Sequence, residues 1–128
     1  DIMDNYTKEQ VSEALRVVAS TISRCEKIQP KFAQGTSQYT LIRNRIKALY
    51  ISKALIAADN TIEEYTAEEL MAALPPVTSI ISKTEKAQSK YEEGTAQYKR
   101  FEPTIKAMKI SKSLIEDELC HRENKSPQ

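Results

Sequence analysis

The two glycines of this 128-residue chain occupy the same position in two copies of one segment. Gly35 and Gly94 lie 59 residues apart, and the similarity extends well beyond them. Residues Ile22–Ile56 and Ile81–Ile115 are identical at 18 of 35 aligned positions. A repeat of this length indicates a tandem duplication, in which each copy is one supersecondary unit that packs against the other.

Each copy has the pattern of two helices joined by a turn. Thr7 and Thr66 precede residues with a helical apolar period. Gln10 and Glu69 follow them by three positions, which is the capping-box pattern of a helix start. The glycine of each copy suits the left-handed position that ends a helix, and the threonine after it suits the cap of the next helix. The sequence therefore predicts an all-α fold, a four-helix up-down bundle of two tandem αα-hairpin repeats related by a pseudo-two-fold axis.

The length of the chain suits one small domain. A copy of about 55 residues buries only a marginal core by itself, so the two copies are expected to share one. We predict a single helical domain over residues 1–128, with internal repeats at 6–59 and 65–118. The polar residues 122–128 are expected to form a frayed tail.

Prolines distinguish the two copies. Pro75, Pro76 and Pro103 fall inside predicted helices of the second copy, where the first copy has no proline. A proline inside a helix lacks the N–H donor and clashes with the preceding turn. We therefore expect the third helix to be kinked or broken near Leu74 and the fourth near Glu102.

The second helix of each copy is apolar on two nearly opposite sides, which indicates that both sides are covered. Either the first helices pack on both sides of it, or one side forms a dimer interface. We favour the dimer, because a four-helix bundle needs only one apolar stripe per helix. The predicted self-association interface consists of Ala48, Ile51, Leu55, Ala107, Ile110 and Leu114.

Basic residues cluster around the two glycine turns. In an up-down-up-down bundle both turns lie at one end, which would be basic, and the connector and both termini lie at the other, acidic end. Two helix N-termini beside lysines form a potential binding site for a phosphate or a nucleic-acid backbone. The residues of this anion hypothesis are Lys31, Gly35, Thr36, Gln38, Lys90, Gly94, Thr95 and Gln97. The alternative is an ordinary helix turn with solvated lysines, and we favour it.

Other basic residues allow a functional and a structural interpretation. Arg43, Arg45 and Lys47 are candidates for phosphate contacts, but solvated side chains are the simpler interpretation. Lys53 and Lys112 fall within an apolar stripe, either as buried lysines or as side chains whose charged ends reach water or an ion-pair partner. We favour the second interpretation; the repeated acidic residues available as partners are Glu26 and Glu85.

Residues for catalysis or metal binding are sparse. His121 is the single histidine, and with Cys120 it supplies two ligands, which are too few for a zinc site. The sequence has no nucleophile motif, no phosphate-binding loop and no dinucleotide fingerprint. Cys25 and Cys120 have no counterparts in the other copy, so we expect free thiols in a reducing, cytoplasmic environment.

These observations favour a binding function over an enzymatic one. We predict a non-catalytic protein-interaction or assembly module that self-associates, with a second copy or another protein as partner. The alternative is a binder of a polyanion at the basic turns. We expect no cofactor and no metal, and no membrane association, because no apolar run approaches the roughly 20 residues that cross a bilayer.

Overall fold

The computed structural model describes residues 2–125, except for the side chain of Lys125. They contain the α-helices α1 (Lys8–Ile28), α2 (Ser37–Ile56), α3 (Ala67–Gln88), α4 (Ala96–Lys99) and α5 (Glu102–Lys125). Short 3-10 helical segments lie at Ile2–Asn5, Gln29–Lys31 and Asn60–Glu64. The four long helices pack as an up-down bundle in which the two helices of each hairpin run antiparallel, with contacts between consecutive helices and between helices distant in the chain, and no strand occurs in this part of the chain. The all-α prediction is confirmed.

The predicted helix starts are confirmed at α1 and α3. The Thr7 hydroxyl accepts the Gln10 N–H at 3.0 Å, and the Gln10 side chain accepts the Thr7 N–H at 2.8 Å. Thr66 and Glu69 form the same pair of bonds, at 3.1 and 2.9 Å. Each reciprocal pair satisfies two of the backbone donors that a helix start leaves without partners.

The helix ends differ from the expectation. The glycines were predicted to end the first helix of each copy, but α1 ends at Ile28, seven residues before Gly35, and α3 ends at Gln88, six residues before Gly94. In the first copy Pro30 explains the early stop, because it lacks the N–H that the next helical turn requires. The glycines instead reverse the chain inside the loop, with φ of 86° at Gly35 and 89° at Gly94. This left-handed conformation is one that glycine adopts without steric cost.

Of the kink or break expected at Pro75 and Pro76, the break is absent, because α3 continues through both prolines. The carbonyls that lose their donors belong to Met71 and Ala72, which lie on an exposed side of the helix. Water can bond to carbonyls at such a position, so the missing N–H groups do not interrupt the helix.

The predicted break near Glu102 is present. The second helix of the second copy is divided into α4 and α5 at Arg100–Phe101. Pro103 lies in the first turn of α5, where backbone N–H groups have no carbonyl partner within the helix, so the lack of an N–H costs no helical hydrogen bond. The corresponding helix of the first copy, α2, runs without interruption.

The C-terminal segment is helical through Lys125, so the frayed tail predicted from residue 122 is wrong over 122–125. Arg122 holds this end of α5 in place by donating hydrogen bonds to the backbone carbonyls of Ile62, at 2.7 Å, and Tyr65. Its guanidinium also pairs with Glu118 at 2.9 Å. The remainder of the predicted tail, residues 126–128, lies outside the described residues.

The two hairpins point their turns toward opposite ends of the bundle. Glu26, in the last turn of α1, accepts a hydrogen bond from the Tyr50 hydroxyl at 3.0 Å. Glu69, in the first turn of α3, pairs with Lys47, one helical turn from Tyr50 on α2. The end of α1 and the start of α3 therefore meet the same part of α2, and the start of α1 lies beside the start of α5, so α1 and α3 start from opposite ends. The prediction of one shared turn end is therefore wrong; the connector folds back along α2 instead of continuing past it.

The second helices are covered on both sides within one molecule. The middle of α2 is buried through Ala48 and Ile51, and α2 contacts α1, α3 and α5. The residues of the predicted self-association interface therefore contribute mainly to the core, although four of them also line grooves between helices. Its buried members are Ala48, Ile51, Ala107, Ile110 and Leu114, and Leu55 is half-buried against the same core. Two arrangements were considered for the second helices. The structure has the one in which first helices pack on both sides of each second helix.

Candidate interaction groove

The residues of the anion hypothesis lie in two separate groups. The Thr36 hydroxyl accepts the Tyr39 N–H at 3.2 Å and donates to the Ala33 carbonyl at 2.7 Å, so its bonds are made within the loop. Thr95 repeats both bonds with Tyr98 and Glu92. Because the turns point toward opposite ends, the lysines of one copy do not join those of the other at one site. In addition α4 has four residues, too few to produce a sizeable helix dipole.

The second turn contains an aromatic cluster that the sequence analysis did not identify. The rings of Tyr91 and Phe101 stack with centroids 5.9 Å apart, and the Arg100 guanidinium lies 5.4 Å from the centroid of Phe101. Gln88 also donates to the Tyr98 carbonyl at 3.1 Å. These contacts hold α4 against the end of α3, so they have a structural role where the second helix is interrupted.

The repeated glutamates, Glu26 and Glu85, have partners other than the lysines suggested for them, Lys53 and Lys112. Glu26 bonds to Tyr50, and Glu85 pairs with Lys109 at 3.4 Å, whereas Lys53 is exposed. Tyr50 and Lys109 are themselves equivalent positions of the two copies. The two hairpins are therefore held by matched contacts, although the residue that meets the glutamate has changed.

The three basic residues considered for phosphate contacts are in different environments. Arg43 is exposed, and Lys47 pairs with Glu69. Arg45 is partly buried, and its Nε and Nη2 atoms are inaccessible to water and have no acceptor among the described residues. Burial raises the pKa of the nearby Cys25 thiol, while the positive charge of Arg45 acts in the opposite direction. The three residues therefore do not form one basic face.

The cysteines and the histidine do not form a metal site within the described residues. Cys25 and Cys120 are both free thiols, as predicted. Cys120 and His121 line a shallow cleft with Ile2 and Asp117, and residues 2–125 contain no group of three or more His, Cys, Asp or Glu that could hold a metal. In the same part of the chain, none of the helices combines the length and apolar character of a membrane crossing.

The most informative surface features are two grooves, each between the second helix of one copy and the first helix of the other. The α2–α3 groove, with a volume of about 270 Å³, is lined by Asn44, Lys47, Ala48, Ile51, Glu68, Glu69, Ala72 and Ala73. The α1–α5 groove is lined by the repeat equivalents of all eight, Pro103, Lys106, Ala107, Ile110, Glu9, Gln10, Glu13 and Ala14, together with Tyr6, Lys99, Glu102, Lys109 and Ser113. Its volume is about 570 Å³, roughly twice that of its counterpart.

One substitution between the copies changes the charge pairing across the groove. In the α2–α3 groove Lys47 and Glu69 form an ion pair that spans from one helix to the other. The hydrogen bond from Lys47 lowers the pKa of Glu69, with a further contribution from the backbone of Thr66. The equivalent residues of the α1–α5 groove are Lys106 and Gln10. Because Gln10 is uncharged, the ionic bridge across that groove cannot form.

The α1–α5 groove has a floor of small and apolar residues between two charged walls. Ala14, Ala107 and Ile110 are buried at its base. The wall on α1 carries Glu9 and Glu13. The opposite wall carries Lys99, Lys106 and Lys109, with Glu102 as its single acidic member among the lining residues. A concave apolar floor with charged sides is the form of surface on which a protein helix packs.

One feature of this groove, the missing carboxylate, could be predicted from the sequence. Aligning the repeats pairs Gln10 with Glu69, which reveals the lost charge, but it does not reveal that each position faces a lysine of the other copy. That information requires the relative orientation of the hairpins.

Comparisons with protein-family models, with curated proteins and with solved structures find no match to this chain.

Proposed function

We propose that this protein is a non-catalytic interaction module that associates with copies of itself through the α1–α5 groove. The observation that carries the proposal is the difference between two equivalent grooves of one molecule, one bridged by an ion pair and the other open. Open apolar surface in a concave site favours association with another polypeptide. This surface includes two residues of the interface predicted from the sequence, Ala107 and Ile110, in its floor, whereas the other predicted residues lie outside the groove.

We also infer that the two hairpins are related by an approximate two-fold axis inherited from the duplication. Two features support it: the matched contacts of Glu26 with Tyr50 and of Glu85 with Lys109, and the equivalent linings of the two grooves. On this view both copies once had the same groove, and one copy kept the bridging carboxylate. The free thiols Cys25 and Cys120 are consistent with a cytoplasmic location, which stays a proposal.

The proposal predicts that closing the groove weakens self-association. Gln10→Glu restores a carboxylate opposite Lys106 and keeps the capping box, in which Glu69 already serves. A partner must then disrupt an ion pair, so the dimerisation Kd is expected to rise about fivefold, the effect of an exposed ion pair worth roughly 1 kcal/mol. Sedimentation equilibrium up to about 0.5 mM measures it, a range that covers Kd values in the micromolar region.

The matched control is Glu69→Gln, which removes the bridge from the α2–α3 groove. It is expected to leave the dimerisation Kd unchanged within about twofold, because that groove is not the proposed interface. A wild-type protein that sediments as a monomer at every concentration contradicts the proposal. So does a Gln10→Glu variant that dimerises as well as the wild type.

A further inference from the structure

The two walls of the α1–α5 groove carry opposite charge at the same level of the groove. Gln10, between Glu9 and Glu13 on α1, is the repeat equivalent of Glu69, which contacts Lys47 directly. Lys106 is the equivalent of Lys47, so the acidic residues of α1 and the lysines of α5 face each other across the floor. No ion pair among the described residues joins one wall to the other, although Glu13 pairs with Arg16 on its own helix and Lys109 pairs with Glu85. The arrangement leaves Glu9 on one wall, and Lys99 and Lys106 on the other, available for an external partner.

Resting on the self-association proposed above, we infer that the occupant of this groove is a second copy whose two-fold axis runs parallel to the groove. Rotation about such an axis keeps each residue at its level and exchanges the two walls. The α1 wall of one protomer then lies against the α5 wall of its partner, so acidic residues meet lysines twice. A two-fold axis across the groove would instead place acidic wall on acidic wall and basic on basic, which costs free energy at both contacts.

The shape of the floor suits this packing. Ala14, Ala107 and Ser113 are small, so the helices of a second copy approach closely before their backbones collide. Two layers of two helices placed face to face form a four-helix arrangement, in which the two floors become a shared interior. A dimer of this kind is closed, because each protomer uses its one α1–α5 groove.

Substitutions that reverse the charge of one wall test the arrangement. The first variant is Glu9→Lys with Glu13→Lys, which makes both walls basic. The second is Lys99→Glu with Lys106→Glu, which makes the α5 wall predominantly acidic and leaves Lys109 in its contact with Glu85. Each variant alone is expected to dimerise about tenfold more weakly than the wild type at low salt, and the equimolar mixture to recover an affinity within about threefold of it. Sedimentation equilibrium gives the affinities, and circular dichroism melting confirms that each variant is folded.

Each result separates this inference from the proposed function. A wild-type protein that never dimerises overturns both. If the wild type dimerises and both variants dimerise as well as it does, only the two-fold arrangement is overturned. In that case either walls of like charge are in contact in the dimer, or the walls are not part of the interface. Variants that dissociate but do not recover on mixing also overturn it. Recovery in the mixture, together with weaker wild-type dimerisation in about 0.5 M salt, where the screening length falls to a few ångströms, supports it.

Discussion

Arg45 is partly buried, and part of its guanidinium is cut off from water. Its Nε and Nη2 atoms are shielded from water and have no acceptor among the described residues. A guanidinium is normally paired when it is buried, because removing a charged donor from water is unfavourable. The equivalent residue of the second copy is Thr104, so the duplicated fold forms without an arginine at this position.

Replacing Arg45 by leucine is expected to stabilise the protein. Arg45→Leu keeps apolar contacts of the side-chain stem and removes the unpaired charge, so the free energy of unfolding is expected to rise by about 1–2 kcal/mol. Urea denaturation at neutral pH measures it. The control is Arg43→Leu, at an exposed position two residues away, with an expected change within about 0.5 kcal/mol. A less stable Arg45→Leu variant would mean that the guanidinium has an acceptor.

Gln10 and Glu69 show which contacts of a residue can be predicted from the sequence. Both were identified from the sequence as partners of a capping threonine, and both form that contact. A capping box is predictable because all its atoms come from four consecutive residues. The second contact of Glu69, with Lys47 on α2, joins residues 22 positions apart and was not predicted. It depends on how two helices pack, which short-range patterns do not encode.

The end of α2 is an element that differs between the copies. The N–H of Asp59 bonds to the Ala54 carbonyl at 2.9 Å, and that of Ala58 bonds to Leu55 at 3.1 Å, which together form a Schellman motif. Ala58 occupies its left-handed position with φ of 53°, where glycine is the usual residue. The equivalent residue of the second copy, Asp117, lies inside α5.

Substituting glycine at this helix end is expected to stabilise the protein. Ala58→Gly relieves the left-handed strain of a residue with a Cβ, and the free energy of unfolding is expected to rise by about 0.5–1 kcal/mol. Thermal unfolding followed by circular dichroism measures the change. Ala57→Gly is the matched control, since Ala57 has a right-handed φ of −78° and glycine is expected to destabilise it by a similar amount. Equal effects of the two substitutions would contradict the strain argument.

The prolines show why an element boundary depends on more than residue type. The same rule predicted interruptions at Pro75–Pro76 and near Pro103, but only the second is present. At the first site the carbonyls without donors lie on an exposed side of α3. At the second, Pro103 is accommodated as an early residue of a new helix. The sequence identifies both weak points, but residue type alone does not decide which one interrupts the helix.

The whole molecule is held by one core to which both hairpins contribute. Leu49 and Ile51 of α2 belong to the same buried cluster as Met108 and Ile115 of α5, and these two helices are in contact. Each second helix therefore buries one side within its own hairpin and another against the other hairpin. This arrangement explains the two apolar stripes that the sequence analysis attributed to a dimer interface.

Separating the hairpins is expected to abolish cooperative folding. Fragments 1–59 and 60–128, prepared individually, are each expected to lack a cooperative thermal transition, because a chain of about 60 residues with half a core is marginal. Mixed in equal amounts, they are expected to regain helical circular dichroism and a cooperative transition. A single fragment that melts at the temperature of the intact chain would show that a hairpin folds without its counterpart.

The sequence by itself determined the helical hairpins of this protein, their capped starts, the glycine turns and the duplication that relates them. These features follow from contacts between residues a few positions apart, and a local pattern specifies such contacts almost completely. The tertiary structure alone decided that the turns point in opposite directions, that most residues of the predicted interface are buried and that one of two equivalent grooves stays open. The reason is that the connector is free to run onward or to fold back, and only the burial of apolar surface between residues far apart in the chain selects one of these paths.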